Sequence, residues 1–302
     1  MGIYEEIAAN KRRSYLLIFV FLALIILIGF VIGLYWGNQW FGLVIAFLAG
    51  LLYFLFSYFS GAESILTLSK AKEAQKPEHA YLINTVEGLS IAAGLPKVPK
   101  VYVIEDTALN AFATGRDPEH SYVAVTSGLL KKLNRQELEG VIAHEMSHIK
   151  NYDIRVMMLA AVMVGVTVLL SDFLLRSFLW GGKSNDREGN QMTVVLIVVG
   201  LVLAILSPII AQLMQLAISR KREFLADANG ALLTRYPKGL ADALRKIKDD
   251  PDPLVDTANK ATAHLYISMP FRHDGKKKAS WVQSLFQTHP PIDLRIKKLD
   301  GM

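Results

Sequence analysis

The sequence predicts a mainly α-helical integral membrane protein, with four transmembrane helices and a polar part that contains a small sheet. The 302-residue chain is 52% hydrophobic and only 20% charged, which is more apolar than an average soluble protein. Its apolar residues are also gathered in long segments that contain no charged side chain. This composition excludes a disordered chain. The absence of cysteine excludes disulfides, thiol nucleophiles and thiolate metal ligands.

The first transmembrane hairpin is predicted from a charge-free segment that runs from Ser14 to Ala62. A helix needs about 20 apolar residues to cross the hydrocarbon core. Since Gly37, Asn38 and Gln39 interrupt the segment, it fits two spans, approximately 15–36 and 40–59. The first span is too long for the core of a signal peptide, and we expect it to remain as an anchor.

A second hairpin is predicted further along the chain. Residues 191–219 are free of charge, and a shorter charge-free segment covers 156–171. The expected spans are approximately 156–178 and 192–216, joined by a polar turn. The weaker of the two also fits a buried amphipathic helix of a soluble domain, and the sequence leaves that alternative open.

Basic residues next to the spans predict the orientation of the chain. Lys11, Arg12 and Arg13 precede the first span, and the turn between the first two spans contains no Lys or Arg. Arg220, Lys221 and Arg222 follow the last span, and all three are interpreted as charges of the cytoplasmic side. We therefore expect both termini and every large polar segment in the cytoplasm. The net charge of +6 is explained in this way, and no nucleic-acid partner is predicted.

The polar part is predicted to combine helices with a few strands. Its composition favours a helix over Thr67–Ala93, which Gly94 and Pro96 end. Strands are expected at Val101–Ile104, Asn110–Thr114 and Tyr122–Thr126, with the turn between the last two at Gly115–His120. Asn134, followed three residues later by Glu137, predicts a capped helix start.

The helix that starts at Asn134 carries the motif His144-Glu145-Met146-Ser147-His148. Residues four apart share a helical face, so both imidazoles can bind one ion. Glu145 lies about 100° around the helix from His144, where its carboxylate can accept a proton from a water on that ion. The pattern predicts a zinc-dependent hydrolase, since zinc favours imidazole ligands and keeps one position open for water.

A catalytic zinc with two histidine ligands needs a third ligand. A third histidine at position 154 is excluded, because that residue is Ile154. A di-iron carboxylate site is disfavoured, since it needs a second Glu-x-x-His and the sequence has none. Glu223 is the best candidate because it follows the last span closely, as His148 precedes the third. Asp227, one turn further, could accept the ring N–H of a ligating histidine. The alternative for both acids is a solvated helix face.

Several motifs together resemble the HtpX-type membrane zinc metalloproteases, which are related to the CAAX prenyl proteases. The matching features are two N-terminal spans, two spans inserted between the ligands, and the motifs NAFATG at Asn110–Gly115, HEMSH at 144–148, EFLAD at 223–227 and THPP at Thr288–Pro291. The resemblance covers essentially the whole chain. Four spans favour the HtpX type over the CAAX proteases, which have more.

The resemblance implies a gluzincin-like α+β catalytic domain on the cytoplasmic face and one Zn²⁺ per chain, held by His144, His148 and Glu223, with Glu145 as the general base. It implies multi-pass insertion in the bacterial inner membrane and cleavage of misfolded or damaged membrane proteins. Other quality-control proteases are the partner proteins that it suggests. The expected parts of the chain are an anchor and hairpin (1–61), the first half of the catalytic domain (62–155), the inserted hairpin (156–218) and the second half (219–302).

Two further features are expected to contact the substrate. In such enzymes a peptide commonly adds to an exposed sheet edge, for which the candidate residues are Asn110, Ala111, Phe112 and Ala113. An ordinary hairpin strand is the alternative. His289 is a candidate donor to the oxyanion, although a surface histidine at a helix start explains it equally well.

A non-hydrolytic metal sensor or scaffold in the membrane is the alternative function. A metal-ion transporter is disfavoured, because the charge-free segments lack ionisable residues.

Overall fold

The computed structural model of the protein describes residues 3–35, 37–163, 220–250, 265–267 and 290–302. The helices are α1 (Ile3–Tyr35), α2 (Gln39–Leu68), α3 (Lys76–Ala93), α4 (Ser127–Lys132), α5 (Arg135–Lys150), α6 (153–163), α7 (Arg220–Thr234), α8 (Pro237–Asp249) and α9 (Ile292–Asp300). The strands are β1 (Lys72–Glu73), β2 (Lys100–Ile104), β3 (Ala111–Asp117) and β4 (His120–Thr126).

Helices α1 and α2 form an antiparallel hairpin in the region of the first two predicted spans. Within the described residues, Ile7–Phe30 and Gln39–Leu68 are long and apolar enough to cross a membrane. Their outer faces carry exposed apolar side chains, with Phe19 exposed by 68% and Leu52 by 67%. Such faces fit contact with lipid rather than with water.

Small residues allow the two helices of the hairpin to approach closely. A Cβ added to Gly33 would lie 2.9 Å from the Asn38 carbonyl oxygen, and one added to Gly42 would collide with the backbone of Gly29 and Gly33. Asn38 caps α2 by accepting a hydrogen bond from the Phe41 amide at 3.0 Å. The predicted polar turn therefore also starts the second helix.

Within the described residues, four strands form a mixed sheet in the order β1-β2-β4-β3, in which β2 and β4 are parallel and the other pairs are antiparallel. Alternate residues face opposite sides of the sheet. Val101, Val123 and Ala113 belong to a core shared with α3, α5 and α8. Phe112 and Ala124 belong to a second core shared with α1, α2 and α6. The sheet therefore separates the membrane hairpin from α5.

The structure corrects two local predictions. The predicted helix over Thr67–Ala93 is wrong in its first part, because α2 ends at Leu68 and α3 begins only at Lys76. Pro77, which has no amide hydrogen, suits the first turn of a helix and not its interior. The turn between the last strands is also shorter than predicted, since β3 extends to Asp117 and β4 begins at His120.

The fourth expected span lies outside the described residues, as does the third beyond residue 163. Helix α6 covers the beginning of the third span, where Val156, Met158 and Ala160 are buried. The described part of α7 starts at Arg220. The described structure thus gives the hairpin of α1 and α2 and, on either side of the undescribed segment, α6 and α7.

Candidate metal centre

Helix α5 carries the HEMSH motif through the middle of the protein. Its start is fixed as predicted by a capping box, in which the Asn134 side chain accepts from the Glu137 amide and the Glu137 carboxylate accepts from the Asn134 amide. From Glu137 onward nearly every residue of the helix is buried. His144, Glu145 and His148 are thus held in a protein interior rather than on a solvated helix face.

The two histidines of the motif point at each other. Their Nε2 atoms lie 3.2 Å apart, and the ring planes are nearly perpendicular, at 86°. One helical turn separates the two residues, so this arrangement follows from their spacing of four.

Glu223, in the first turn of α7, closes the group from a second helix. Its Oε1 atom lies 3.4 Å from Nε2 of His148, and its Oε2 atom lies 3.8 Å from Nε2 of His144. One ligand atom from each of these residues lies within 4.8 Å of the other two, and all three side chains are buried. Glu223 is therefore not on a solvated helix face, which was the alternative interpretation of its sequence.

Close packing of α7 on α5 brings Glu223 to this position. A Cβ added to Gly230 would lie 3.1 Å from the backbone nitrogen of His144, so a side chain at position 230 would press on the metal-site helix. Gly230 follows Glu223 by about two turns of α7.

The other ring nitrogens of the histidines contact aspartates. Nδ1 of His144 lies 3.0 Å from Oδ1 of Asp227, and Nδ1 of His148 lies 2.9 Å from Oδ2 of Asp153. Carboxylates accept, so the hydrogen of each neutral ring is on Nδ1, and both Nε2 lone pairs face the Glu223 carboxylate. Three acceptors that converge in a buried space repel one another unless a cation lies between them, so this donor set fits a divalent metal.

The pKa values reflect the same concentration of negative charge. Burial opposes protonation of His148, but the hydrogen bond with Asp153 and the charges of Glu223 and Glu145 outweigh it and raise its pKa to about 9. The carboxylates that attract a proton to this ring also attract a metal cation, and a bound metal would replace that proton.

Glu145 lies beside the metal-binding group without belonging to it. Burial raises the pKa of its carboxyl group, and the charge of Glu223 acts in the same direction, while His144 and His148 oppose the shift. A hydrogen bond from the Ala113 backbone amide also lowers this pKa. A buried carboxylate with a raised pKa next to a metal site can accept a proton and release it again.

Arg295, which the sequence interpretation missed, contacts several residues of this site. It is only 1% exposed and forms a two-pronged pair with Asp227, from Nε at 2.9 Å and from Nη2 at 2.7 Å. Nη1 donates to the carbonyl oxygen of Ile267 at 3.1 Å and lies 3.8 Å from Glu223. Arg295 shares the buried face of α9 with Ile296 and Leu299, and only the packing of that helix shows that the face is buried.

Arg222 does not lie where the sequence analysis predicts it. It was interpreted as a charge of the cytoplasmic membrane surface, but it is only 5% exposed and donates to Asp153 at 3.0 Å. The reason is its packing between α1 and α6, since Nη1 of Arg222 also donates to Oδ1 of Asn10 at 3.0 Å. Asp153, which neither the motif nor its spacing indicated, lies in the first turn of α6.

Strand β3 lies at the edge of the sheet, but its candidate residues are less accessible than expected. Asn110, Ala111, Phe112 and Ala113 are all buried, and the Ile267 amide donates to the Ala111 carbonyl at 2.9 Å. The expectation of an exposed edge is therefore wrong at Ala111, since Ile267 already pairs there and Tyr266 packs edge-on against Phe112. The edge passes the metal-site helix at Ala113, whose amide reaches Glu145. His289 lies outside the described residues.

Comparison with known proteins shows the family of this chain. A model of peptidase family M48 matches residues 76–302. The chain is 49% identical over 299 residues to the protease HtpX homologue of Dictyoglomus thermophilum, covering 99% of this chain and 94% of the relative. It is 42% identical over 304 residues to the protease HtpX homologue of Streptococcus gordonii, covering 99% of this chain and all of the relative.

Among solved structures, that of S. mikatae Ste24p matches with a TM-score of 0.49 and 18% identity, over 98% of this chain and 67% of that one. The family model covers the HEMSH motif and Glu223, and the relatives at 42–49% identity are aligned over nearly the whole chain. The chain belongs to peptidase family M48 and is a membrane-associated metalloendopeptidase.

Proposed function

We propose that the protein is a zinc endopeptidase in which His144, His148 and Glu223 hold one Zn²⁺. The observation that carries the proposal is the convergence of both Nε2 atoms and the Glu223 carboxylate within 4.8 Å. Two imidazoles and one carboxylate are a ligand set of catalytic zinc sites that keep a fourth position for water. Asp227 and Asp153 support it, because each holds the ring of one ligand.

In this mechanism a bound zinc ion supplies polarisation of the substrate carbonyl and of the attacking water. Glu145 accepts the proton of that water, holds it on its carboxylate and delivers it to the nitrogen of the departing amine. The raised pKa of Glu145 supports this role. A carboxylate with a raised pKa accepts the proton of the water more readily and can still release it to the amine. Arg295 donates to Oδ1 of Asp227, the same oxygen that contacts Nδ1 of His144, and so helps to hold that carboxylate in place.

We propose that the substrate backbone runs along β3 near Ala113. The hydrogen bond between the Ala113 amide and Glu145 supports this position, since it puts the sheet edge next to the general base. Because Ile267 pairs with the Ala111 carbonyl and Glu145 accepts from the Ala113 amide, the substrate would pair from the Ala113 carbonyl onward. His289 is the proposed donor to the oxyanion.

We further propose that the substrates are misfolded or damaged membrane proteins, cleaved at the cytoplasmic face of the bacterial inner membrane. Four spans and cytoplasmic termini are part of this proposal, with the inserted hairpin at 156–178 and 192–216. The apolar outer faces of α1 and α2 support insertion in a bilayer. The basic cluster Lys11, Arg12 and Arg13 supports the orientation.

The test is cleavage of an unfolded membrane protein by the full-length protein, purified in detergent and loaded with zinc. We expect cleavage that a chelator stops and that added zinc restores. The Glu145→Gln protein, which keeps all three proposed ligands, is expected to bind zinc without cleaving. Zinc binding without cleavage by the unaltered protein would instead support the metal sensor or scaffold.

A further inference from the structure

A buried polar cluster joins the first helix of the protein to the candidate metal centre. Asn10, in α1, is fully buried. Its Nδ2 atom donates to Oδ1 of Asp153 at 2.7 Å and to the backbone oxygen of Asn151 at 2.8 Å. Asp153 is the residue whose other carboxylate oxygen contacts Nδ1 of His148. Asp153 therefore connects Asn10, a side chain of α1, to the proposed metal ligand His148.

The same asparagine also contacts the helix of the third ligand. Its Oδ1 atom accepts a hydrogen bond from Nη1 of Arg222 at 3.0 Å, and the same Nη1 lies 3.0 Å from Oδ1 of Asp153. Asn10, Asp153 and Arg222 thus form a closed triangle of hydrogen bonds. Arg222 immediately precedes Glu223 in α7, and Asp153 contacts His148. The triangle is therefore connected to two of the three proposed metal ligands.

From these contacts we propose that Asn10 is a positioning residue of the metal centre, which acts through Asp153 on His148 and through Arg222 on Glu223. Both oxygens of Asp153 are engaged, one by His148 and one by Asn10 and Arg222, so the carboxylate cannot turn without losing a buried hydrogen bond. Partners of this kind orient a ligating imidazole and raise metal affinity. Helix α1 is then part of the active site as well as an anchor.

The inference rests on the proposed zinc site and is tested through zinc affinity. The full-length protein is stripped with a chelator, and its zinc dissociation constant is measured by competition with a chromogenic chelator. Loss of an orienting partner of a ligating histidine costs about 10- to 100-fold in affinity. We expect Asn10→Ala to weaken zinc binding by about 10-fold, the lower end of that range, because Asn10 acts through Asp153.

Ser14→Ala is the matched control. Ser14 is buried in α1 one turn after Asn10, and its hydroxyl donates to the Asn10 backbone oxygen at 3.0 Å. Its loss removes a buried polar group from the same helix without removing a side-chain contact to Asp153. We expect Ser14→Ala to keep the zinc affinity of the unaltered protein. An equal loss in both variants would overturn the proposal, because it would show only that α1 packs less well.

A double-mutant cycle separates a positioning role from a general loss of stability. If Asn10 acts through Asp153, Asn10→Ala should lower zinc affinity far less in an Asp153→Ala background than in the unaltered protein. Effects that simply multiply would overturn the proposal. If Asn10→Ala does not fold, Asn10→Asp replaces it, since the isosteric carboxylate keeps an acceptor for Arg222 but cannot donate to Asp153, and it should weaken zinc binding similarly.

The outcomes also distinguish this inference from the proposed function. Zinc binding by the unaltered protein, with equal affinity in Asn10→Ala, would overturn the inference and leave the zinc site intact. Failure of the unaltered protein to bind zinc would overturn both.

Discussion

Oε1 of Glu223 lies 3.4 Å from Nε2 of His148, although the two residues belong to different helices with the inserted segment between them. The contact exists because α7 packs directly on α5, with Gly230 against the His144 backbone. Two helices that each enter the polar part next to an expected span thereby contribute to one buried group. The site belongs to the pair of helices and is not a property of the HEMSH motif alone.

Glu145→Gln should abolish peptide cleavage and leave zinc binding nearly unchanged. The amide keeps the size of the side chain but cannot accept the proton of the attacking water. Cleavage is measured by the rate of loss of an unfolded membrane protein, and bound zinc by elemental analysis of the same sample. Residual cleavage near the rate of the unaltered protein would remove Glu145 from the mechanism.

Gly230→Val should separate α5 and α7 and lower both stability and zinc affinity. The new Cβ would lie 3.1 Å from the His144 nitrogen, and overpacking of this kind costs about 1–3 kcal/mol. Thermal unfolding and zinc titration measure the two effects. Gly88→Val is the control, since a Cβ at Gly88 meets nothing within 4 Å; similar losses of zinc affinity in both variants would contradict the explanation.

Arg295→Ala should destabilise the protein by about 3–5 kcal/mol, because it leaves the buried Asp227 carboxylate without its main cation. The free energy of unfolding is measured by denaturant titration in detergent with a chelator present. Lys297→Ala, at an exposed position of the same helix, should change it by less than about 0.5 kcal/mol. Equal effects of the two substitutions would show that Asp227 does not depend on Arg295.

The Asp227 carboxyl group should make the stability of the protein sensitive to acid. Burial opposes its ionisation, but the charge of Arg295 and the contacts with His144 outweigh burial and lower its pKa from 3.8 to about 2. A group with a lowered pKa in the folded state contributes stability above its unfolded pKa, and that contribution is lost as the pH falls through the folded pKa.

The loss due to Asp227 should therefore occur between pH 3.8 and about pH 2. In chelator, the midpoint of thermal unfolding should fall more steeply over this interval in the unaltered protein than in Asp227→Asn, which has no carboxyl group to titrate. Parallel curves for the two proteins would contradict the lowered pKa.

The sequence predicted the parts of the site that depend on local spacing. The turn of helix between His144 and His148 and the capping box at Asn134 follow from residues close together in the chain. Glu223 was predicted in a different way, because it follows the fourth expected span closely, as His148 precedes the third. The break between α2 and α3 was missed, although Pro77 indicated a helix start.

The remaining parts depend on contacts between distant segments. Arg295 lies on a C-terminal helix and Asn10 on the first one, and no spacing relates either residue to the HEMSH motif. Arg222 follows the rule for cytoplasmic charges in sequence but is buried by its neighbours in space. Buried charged residues of this kind can be identified only when the packing of the helices is known.

The most direct test of this account is the zinc content of three purified full-length proteins after dialysis against a weak chelator. The unaltered protein and Glu145→Gln are predicted to retain about one zinc ion per chain, and Glu223→Ala is predicted to retain almost none, because two imidazoles alone hold zinc weakly. Retention of one zinc ion by Glu223→Ala, with the affinity of the unaltered protein, would contradict the assignment of His144, His148 and Glu223 as a single metal site.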